Sequence, residues 1–407
     1  MRILLTTRGS AGHVTPLAPF GHAALRAGHD VLVAAQGQHA GNVARAGLPF
    51  APFGEPPPEQ WMPLLADFAQ MDMARANAVM IGDYFAGMDT AAALPGLTSI
   101  VEDWRPDVIV RECWEFASTL VAEQRGIPLV RVALGLAAVE ELTIGLAAAA
   151  LDGARAGLGL PPDPAGDRLR DTPFLTTIPE SFEDPAAPAP RIVHRFRHAV
   201  SADAPPLPDW WPGNDDPLVY LTFGSVTAGT HLPYFPAFYR AAIDALAPLR
   251  VRVLLTIGDR RDPADLGPLP ANVHVEEWVS QDAVAPHAAV LVGHGGHGTT
   301  LGALAHGVPQ VVVPLFSVDQ WANAAAIARA GAGVALDAER RSVLGRPGPE
   351  TMDALGAAVQ RVLDDPSHRH EAQRIAGAMR ALPPADAALA VLSSAARRAP
   401  GASPARP

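Results

Sequence analysis

A loop of glycine, histidine and threonine lies between a short apolar run and an amphipathic segment near residue 300. The run 289-AVLVGH-294 reads as a strand, and the loop 295-GGHGT-299 follows it before a helix begins near Thr300. Glycine lets a backbone approach a ligand closely, and the first N–H groups of a helix are free and carry partial positive charge. The spacing therefore predicts an anion site, with phosphate as the expected anion. The alternative is a strand-to-helix turn that uses glycine for sterics alone.

An acidic residue and an amide stand together after the next predicted strand. The run 308-VPQVVVPL-315 reads as that strand, and Asp319 and Gln320 follow it closely. Open α/β sheets bind ligands at the carboxyl ends of their parallel strands, so this pair is expected at the same edge as the glycine loop. A carboxylate beside an amide can accept hydrogen bonds from neighbouring hydroxyl groups and donate to them. That pairing suits a sugar.

Composition limits the class of protein to which these residues belong. The chain has 407 residues, 49% of them hydrophobic and 18% charged, with a formal net charge of −11. This length exceeds the size at which one core stops growing, so two domains are expected. No apolar run approaches the roughly 20 residues needed to span a bilayer. The acidic balance argues against a nucleic-acid backbone as the main partner, because neutralising phosphates needs a basic face.

Cysteine use and the first residues favour a reducing compartment. Cys113 is the one cysteine, which excludes an internal disulfide and a cysteine-based zinc site, and we expect it to be a small buried residue. The start, 1-MRILLTTRGSAGH-13, reads as a first strand and lacks the long apolar segment of a secretory signal. We therefore expect a cytoplasmic enzyme.

Short apolar strands alternate with helical patterns in both halves of the sequence. Such alternation predicts βαβ units and parallel sheets. The expected strands are 2–7, 30–35, 107–112 and 127–132 in the first half and 217–225, 251–258, 273–278, 289–294 and 308–315 in the second.

The segment 184–217 between the two halves is rich in Pro, Asp and Ala, which indicates a linker. We predict an N-terminal domain over 1–205, a C-terminal domain over 206–385 and a partly disordered tail over 386–407. Two further segments, 54–94 and 135–160, read as helical insertions whose Met, Phe and Trp side chains form either a binding wall or core.

Taken together, these patterns resemble the donor-binding signature of family 1 glycosyltransferases, which have the GT-B fold. The resemblance rests on 294-HGGHGT-299, 307-GVPQVVVP-314 and 319-DQWANA-324, and more loosely on 9-GSAGHVTPL-17 and 107-DVIVRE-112. It is to bacterial enzymes that attach sugars to natural-product aglycones, such as macrolides and aromatic polyketides. It implies an α/β protein of two Rossmann-like, doubly wound parallel-sheet domains that face each other across a cleft.

The resemblance also implies roles for individual residues of the second half. A nucleobase would lie against Trp278, with backbone groups of Val279 beside it, and Asp319 and Gln320 would bind hydroxyl groups of the donor sugar. The diphosphate would be held by His294, Gly296, Gly298, Thr299 and Ser225. Three simpler interpretations stay open: Trp278 closes the core, Ser225 caps the following helix, and His297 is an exposed loop residue.

One departure from the family pattern bears on the nucleotide. Many relatives carry a glutamate three residues after the position of Thr299, where it binds both ribose hydroxyls, but this sequence has Gly302. A site without that carboxylate gains nothing from a 2′-hydroxyl group. We therefore expect a dTDP-sugar donor in preference to a UDP-sugar.

His13 is the residue that we expect to carry the chemistry. It follows the first strand in 9-GSAGH-13, a loop that lacks the lysine of a P-loop and the third glycine of a dinucleotide fingerprint. By the resemblance, its imidazole would remove the proton from an acceptor hydroxyl as that group attacks the sugar. Otherwise His13 merely caps the helix.

A base histidine needs a partner that fixes its tautomer. Relatives supply an aspartate at the end of the strand that matches 107-DVIVRE-112, where this sequence has Glu112. Glu115 is a rival for the role, and in the simpler interpretation Glu112 only forms a surface ion pair with Arg111.

The reaction implied is one in-line displacement at the anomeric carbon with inversion of configuration. No cofactor or metal is expected, because the loop and His294 would stabilise the leaving diphosphate. The expected partners are the nucleotide sugar and an apolar aglycone, and a homodimer is left open.

Two alternatives to a transferase remain. One is a sugar-nucleotide epimerase of the same fold, and the other is a catalytically silent partner protein that binds a nucleotide sugar. A dehydrogenase is excluded because neither half contains a dinucleotide fingerprint.

Overall fold

The computed structural model describes residues 1–188, 190–201, 203–227, 232, 234–258, 260–336 and 347–397. The chain divides into two compact units. Unit 1 contains Met1–Ile178, Pro185–Arg197 and the described residues from Leu382 onward, and unit 2 contains Pro179–Asp184 and His198–Ala381. Each unit is built on one sheet in which every pairing is parallel.

The strands of unit 1 are arranged in the order β3-β2-β1-β4-β5-β6-β7, and those of unit 2 in the order β10-β9-β8-β11-β12-β13. Their bounds are β1 Arg2–Thr6, β2 Asp30–Gln36, β3 Phe50–Phe53, β4 Val108–Glu112, β5 Leu129–Val132, β6 Phe174–Thr176, β7 Val193–Arg195, β8 Leu218–Thr222, β9 Arg252–Thr256, β10 Val273–Glu276, β11 Ala288–Gly293, β12 Gln310–Val312 and β13 Gly333–Ala335.

Within each sheet, an α-helix or a 3₁₀ turn lies in the connection between consecutive strands, since parallel strands need a crossover. The α-helices are α1 Ala11–Arg26, α2 Ala40–Arg45, α3 Pro58–Trp61, α4 Met73–Asn77, α5 Thr90–Trp104, α6 Ala117–Arg125, α7 Ala137–Gly157, α8 Asp167–Arg170, α9 Gly224–Thr227, α10 Ala237–Leu246, α11 Gln281–Val284, α12 His297–Ala305, α13 Val318–Arg329, α14 Pro349–Asp364, α15 Pro366–Ala381 and α16 Ala388–Arg397. A π-helix spans Ala78–Asp89, and 3₁₀ turns span Gly37–His39, Met62–Leu65, Phe68–Gln70, Glu180–Phe182, Pro263–Leu266, Ala285–His287 and Ala385–Ala387.

All nine strands predicted from the sequence are present, and four more were missed. The missed strands β3, β6, β7 and β13 have three or four residues each, too few to show a period. The prediction of a linker over 184–217 is wrong for part of its length, because β7 pairs in parallel with β6 through Phe174 and Val193. Hydrogen bonding to a neighbouring strand, rather than its own composition, makes this piece a strand.

In both units the order of the strands reverses beside the first strand of the sheet. In unit 1 β1 lies between β2 and β4, and in unit 2 β8 lies between β9 and β11. Loops that follow adjacent central strands meet at such a reversal, which is where open α/β sheets bind ligands. The register Thr6 to Arg111 brings the loop after β1 beside the end of β4, and Gly293 to Thr222 does the same for β11 and β8.

The two predicted insertions contribute largely to packing within unit 1. The π-helix and α7 bury Ile81, Phe85, Ile144 and Leu151 in one cluster with Phe116. Core packing is therefore the main role of these segments, although Met62 is 58% exposed and Trp61 and Tyr84 are partly exposed.

The end of the described chain is helical. In α16, Ala388 and Leu392 are buried in the unit 1 core with Leu17 and Phe20. The predicted disorder of the last residues concerns 398–407, which lie outside the described residues. Among the described helices none is by itself long and apolar enough to cross a bilayer, although α15 and α16 together meet the length and composition test across a bend.

Candidate active site

His13 and Glu112 are hydrogen-bonded in unit 1. His13 lies in the first turn of α1, Glu112 is the last residue of β4, and His13 Nδ1 is 2.8 Å from Glu112 Oε1. The Glu112 side chain is fully buried, whereas 16% of the His13 side chain is exposed. An ionised carboxylate can only accept, so Nδ1 carries the hydrogen and Nε2 has the free lone pair. The arrangement leaves Nε2 able to take a proton.

Backbone N–H groups hold the Glu112 carboxylate in place. The N–H of Arg8 donates to Oε1 at 3.1 Å, and the N–H of Trp114 donates to Oε2. Burial alone would raise the pKa of Glu112, but the charge and hydrogen bond of His13, with these two N–H groups, outweigh it and leave this pKa below its usual value. Glu112 is therefore held as a carboxylate.

The two neighbours of Glu112 that the sequence left open have other partners. Glu115 accepts from the N–H of Ser118 at 3.0 Å and from its hydroxyl group, and burial raises the pKa of Glu115. The prediction of a surface ion pair for Arg111 is wrong: its side chain is fully buried and donates to the carbonyls of Glu112, Cys113 and Glu115. A central strand has no exposed face, so the guanidinium is buried; its Nη1 donates to these backbone carbonyls, while Nε and Nη2 have no hydrogen-bond partner among the described residues. Cys113 is buried, as predicted.

A line of aromatic rings leads to His13. The ring centroid of Trp114 is 5.8 Å from that of His13 in an edge-to-face contact, and the centroid of Phe85 is 5.5 Å from that of Trp114. Tyr84 continues the line at 5.4 Å from Phe85, and Trp61 follows at 5.9 Å from Tyr84. Trp61, Tyr84 and Trp114 are each partly exposed. A line of aromatic rings thus leads away from one side of His13, starting at Trp114.

In unit 2, two glycines make room for the ring of His294. A β-carbon on Gly224 would lie 2.7 Å from Cε1 of that ring, and one on Gly296 would lie 2.4 Å from Nε2. Gly224 follows β8 and Gly296 follows β11, so each of the two central strands contributes one wall of the slot. Burial lowers the pKa of His294 to about 4, and its Nδ1 has no hydrogen-bond partner among the described residues. His294 is therefore a neutral hydrogen-bonding group at neutral pH.

Side chains from two other elements fix the glycine loop. Asn323, buried on α13, donates to the carbonyl of Gly295 at 2.8 Å, and Gln281, the first residue of α11, donates to the carbonyl of Thr299 at 2.7 Å. Gly295 has φ +85°, and a β-carbon there would lie 2.8 Å from the carbonyl oxygen of Gln320. The loop is thus held from both sides, with the N-terminus of α12 directly behind it.

Asp319 and Gln320 lie in the first turn of α13, after β12, but they differ in availability. Gln320 is buried, and its Oε1 accepts from the N–H groups of Leu315 and Phe316 at 2.8 and 3.0 Å. That oxygen supports the loop after β12. Asp319 is partly exposed and accepts from the hydroxyl group of Ser317. Of the predicted pair, Asp319 has the more accessible side chain.

The remaining predicted donor residues lie at the same edge of the unit 2 sheet. Trp278 follows β10 and is 73% exposed, so it does not close the core; Val279 next to it packs on an apolar cluster. Ser225 lies in α9, and its side chain is outside the described part of the structure. A β-carbon at Gly298 would meet no described atom within 4 Å.

His297, which the sequence left undecided, is the first residue of α12. Burial, with a smaller effect from His198, lowers the pKa of His297 to about 3. Within the described residues no group of three or more His, Cys, Asp or Glu side chains is placed to hold a metal ion.

Two parallel-sheet units, a histidine–carboxylate pair in one and a glycine loop at a helix N-terminus in the other, define a GT-B type of enzyme. Two family models match the chain: erythromycin biosynthesis protein CIII-like, N-terminal domain, over residues 23–171 and the C-terminal domain of the same family over 240–392. L-demethylnoviosyl transferase of Streptomyces niveus is 30% identical over 388 residues, which cover 92% of this chain and 93% of that protein. Elloramycin glycosyltransferase ElmGT of Streptomyces olivaceus is 31% identical over 406 residues, 95% of this chain and 96% of the relative.

A solved structure agrees with these relatives. The glycosyltransferase SsfS6 of Streptomyces sp. SF2575, complexed with thymidine diphosphate, is 28% identical and has a TM-score of 0.73, covering 96% of this chain and 99% of that chain. The chain therefore belongs to the erythromycin biosynthesis protein CIII-like family and is a glycosyltransferase of the natural-product class with the GT-B fold. The resemblance read from the sequence is confirmed, and the epimerase and silent-partner alternatives are not favoured.

Sequence reasoning missed several residues that build these two sites. Arg8 and Trp114 hold Glu112 through their backbone, and Asn323 and Gln281 hold the glycine loop. Two of them had a signal: Asn323 lies inside the quoted 319-DQWANA-324, and Gln281 follows Trp278 by three residues. Backbone donors have no such signal, because any residue type except proline can supply an N–H group.

Proposed function

We propose that this protein is an inverting glycosyltransferase that moves a sugar, often a deoxysugar, from a dTDP-linked donor to a hydroxyl group of an apolar aglycone in secondary metabolism. The observation that carries the proposal is the His13–Glu112 pair, with Nδ1 engaged and Nε2 free. This pair is what deprotonation of a hydroxyl group requires.

The nucleotide preference rests on the surroundings of Gly302. No carboxylate stands at this position, and Gln281 fills the space beside it. The structural neighbour SsfS6, at 28% identity, was solved with thymidine diphosphate. Both observations favour a donor whose pentose lacks the 2′-hydroxyl group.

The acceptor class follows from the rings near the base. Trp114, Tyr84 and Trp61 are partly exposed and connected by ring contacts to His13. Aromatic side chains offer large apolar contact areas with defined geometry. An apolar acceptor with at least one flat ring therefore fits this surface better than a polar one.

The proposed step is a single displacement. The acceptor O–H proton passes to Nε2 of His13 as the oxygen forms a bond to the anomeric carbon. The bond from that carbon to the diphosphate breaks on the opposite face, its electron pair leaves with dTDP, and the configuration inverts. N–H groups at the start of α12 and the neutral His294 would stabilise the departing charge, without a cofactor or a metal in the proposal.

The test combines nucleotide binding with turnover. Calorimetry of the purified protein with dTDP and UDP should show tighter binding of dTDP. Incubation with dTDP-glucose and an aromatic alcohol or phenol panel should give a glycoside of inverted anomeric configuration, determined by NMR. If neither nucleotide binds, or if the product retains configuration, the proposal is wrong.

A further inference from the structure

A second ion pair lies beside the His13–Glu112 pair and is not part of the proposed chemistry. Arg8, in the loop between β1 and α1, has its Nε 2.5 Å from Oδ2 of Asp89. The side chains are 16% and 7% exposed, so the pair is well shielded from solvent. The Arg8 guanidinium carbon also lies 3.8 Å from the ring centroid of Phe85 and 5.3 Å from that of Tyr84. Arg8 is thus held by a carboxylate and two rings.

The same residue touches the proposed base system through its backbone. The Arg8 N–H donates to Glu112 Oε1, the oxygen that also meets His13 Nδ1. The loop that carries Arg8 runs directly into α1, whose first turn contains His13. Arg8 thus connects the ion pair with Asp89, made by its side chain, to the Glu112 carboxylate and the start of α1, which its backbone reaches.

The π-helix explains why Asp89 can reach Arg8. Asp89 is its last residue, and Tyr84 and Phe85 belong to the same element. π-Helical turns are rare and are found frequently at functional sites. Here the element turns one carboxylate and two rings toward a single guanidinium.

We propose that Asp89 is a positioning residue for the transfer reaction: by pairing with Arg8 it fixes the loop that holds Glu112 and cancels a positive charge that would oppose proton uptake by His13. This inference rests on the proposed role of His13 as the base. Its test below uses a readout that does not depend on that role.

Several charged or titratable groups surround this part of unit 1. Burial raises the pKa of Asp89, although attraction to Arg8 opposes the effect, and burial followed by Arg8 and His13 lowers the pKa of His39. A cavity of about 10 Å³, no larger than one water needs, is lined by Arg8, Asp89 and Glu115 among others. Among the described residues, the titratable groups near the pair and His13 are Glu112 at the end of β4, Glu115 in the turn that follows it, His39 from the turn after β2, and Tyr84 and Asp89 from the π-helix.

Removing the negative charge of Asp89 should make proton uptake by His13 less favourable. In the wild type the charges of Arg8 and Asp89 offset each other. Asp89→Asn removes the negative member and keeps the shape, so the Arg8 charge is left uncompensated in the loop that leads into the first turn of α1, where His13 lies. A positive neighbour disfavours a second positive charge, so protonation of His13 should then need a lower pH.

The test is a histidine-selective ¹⁵N NMR titration of the full-length protein, with the His13 signals assigned through His13→Ala. In Asp89→Asn the protonation midpoint of His13 should fall by roughly half a pH unit or more, the size expected from one uncompensated nearby charge. Arg8→Met/Asp89→Asn, which removes both charges, should return the midpoint to that of the wild type. With dTDP-glucose and a phenol as probes, the acid limb of kcat/KM should move in the same direction.

A matched control lies in the same unit. Glu141→Gln breaks an ion pair with Arg170 of similar burial and the same Nε geometry at 2.7 Å, and it should leave the midpoint unchanged. If Asp89→Asn does not fold, Asp89→Ser leaves space for a water against the guanidinium and carries the same expectation. An unmoved midpoint in a folded Asp89 variant, or an equal shift in Glu141→Gln, overturns the inference. A shifted midpoint in a protein without transferase activity would instead contradict the proposed function alone.

Discussion

The α-carbon of Gly302 faces the side-chain amide of Gln281. A β-carbon at position 302 would lie 2.7 Å from Nε2 of Gln281 and 2.8 Å from its Cδ, so any larger residue displaces that amide from the carbonyl of Thr299. Position 302 and Gln281 are therefore coupled.

Because of this coupling, we expect that changing the preference from dTDP to UDP needs substitutions at both positions. Gly302→Glu alone should destabilise the protein by about 1–3 kcal/mol through overpacking and should bind dTDP poorly. Gly302→Glu/Gln281→Ala should relieve the overpacking, although it lacks the hydrogen bond from Gln281 to Thr299, and should bind UDP about 10-fold more tightly than the wild type does, because a carboxylate then meets the ribose diol. Calorimetry with dTDP, UDP and dUDP separates the effect of the 2′-hydroxyl group on affinity from the effect of the thymine methyl group. If Gly302→Glu alone were as stable as the wild type, Gln281 would not hinder a larger side chain at position 302.

The His13–Glu112 pair predicts a selective loss of turnover. His13→Ala should lower kcat by roughly 10²- to 10⁴-fold, the usual contribution of a general base, and Glu112→Gln should lower it by a similar factor. The affinity for dTDP should not change, since the loop that would bind it belongs to unit 2. Steady-state kinetics and calorimetry measure the two quantities.

Glu115 provides the matched control for Glu112. Glu115 is buried and its oxygens are bonded to Ser118, so Glu115→Gln leaves the His13–Glu112 hydrogen bond in place. It should keep kcat within about tenfold of the wild type. Equal losses in Glu112→Gln and Glu115→Gln would indicate a structural effect of either substitution.

Because His294 is buried, we expect the free energy of unfolding to depend on pH. Its pKa is lowered to about 4 in the folded chain, while the unfolded chain keeps the ordinary value. Below the ordinary value the unfolded chain binds a proton that the folded chain does not, so stability falls as the pH falls toward the folded value. From pH 7 to pH 5 this group should remove about 2 kcal/mol.

Urea unfolding at pH 7 and pH 5 gives the loss of unfolding free energy for the wild type and for His294→Gln. The difference between the two losses is the contribution of His294. The variant should lose less stability than the wild type. Identical losses would mean that His294 is not buried as a neutral ring.

We expect the Trp278 side chain to contribute to the affinity for dTDP but little to the stability of the fold. With 73% of the residue exposed, Trp278→Ala should change the free energy of unfolding by less than about 0.5 kcal/mol. Loss of a stacking partner for the base should weaken dTDP binding by about 1–3 kcal/mol, or roughly 5- to 150-fold. Trp278→Phe should keep part of that affinity. A drop in melting temperature with unchanged affinity would assign Trp278 to packing.

The sequence predicted those parts of the fold and site that depend on local pattern. The nine longer strands were readable, and so was the loop around His294, because apolar runs and glycine spacing are local properties. Arg111 was misjudged because its burial depends on lying in a central strand, and β7 was missed because it exists only through pairing with β6. Asp89 gave no signal at all: its partner Arg8 is far away in sequence, and a π-helix brings it into place.

Unit 1 is not a continuous piece of the chain, since α16 returns to its core after the whole of unit 2. A chimaera that exchanges unit 2 between two relatives therefore needs two junctions, near Arg197–His198 and near Ala381–Leu382. A single crossover would give a unit 1 whose own sheet is covered by a foreign helix. Such hybrids should fail through mismatched packing at Ala388 and Leu392 even when the residues of both candidate sites are intact.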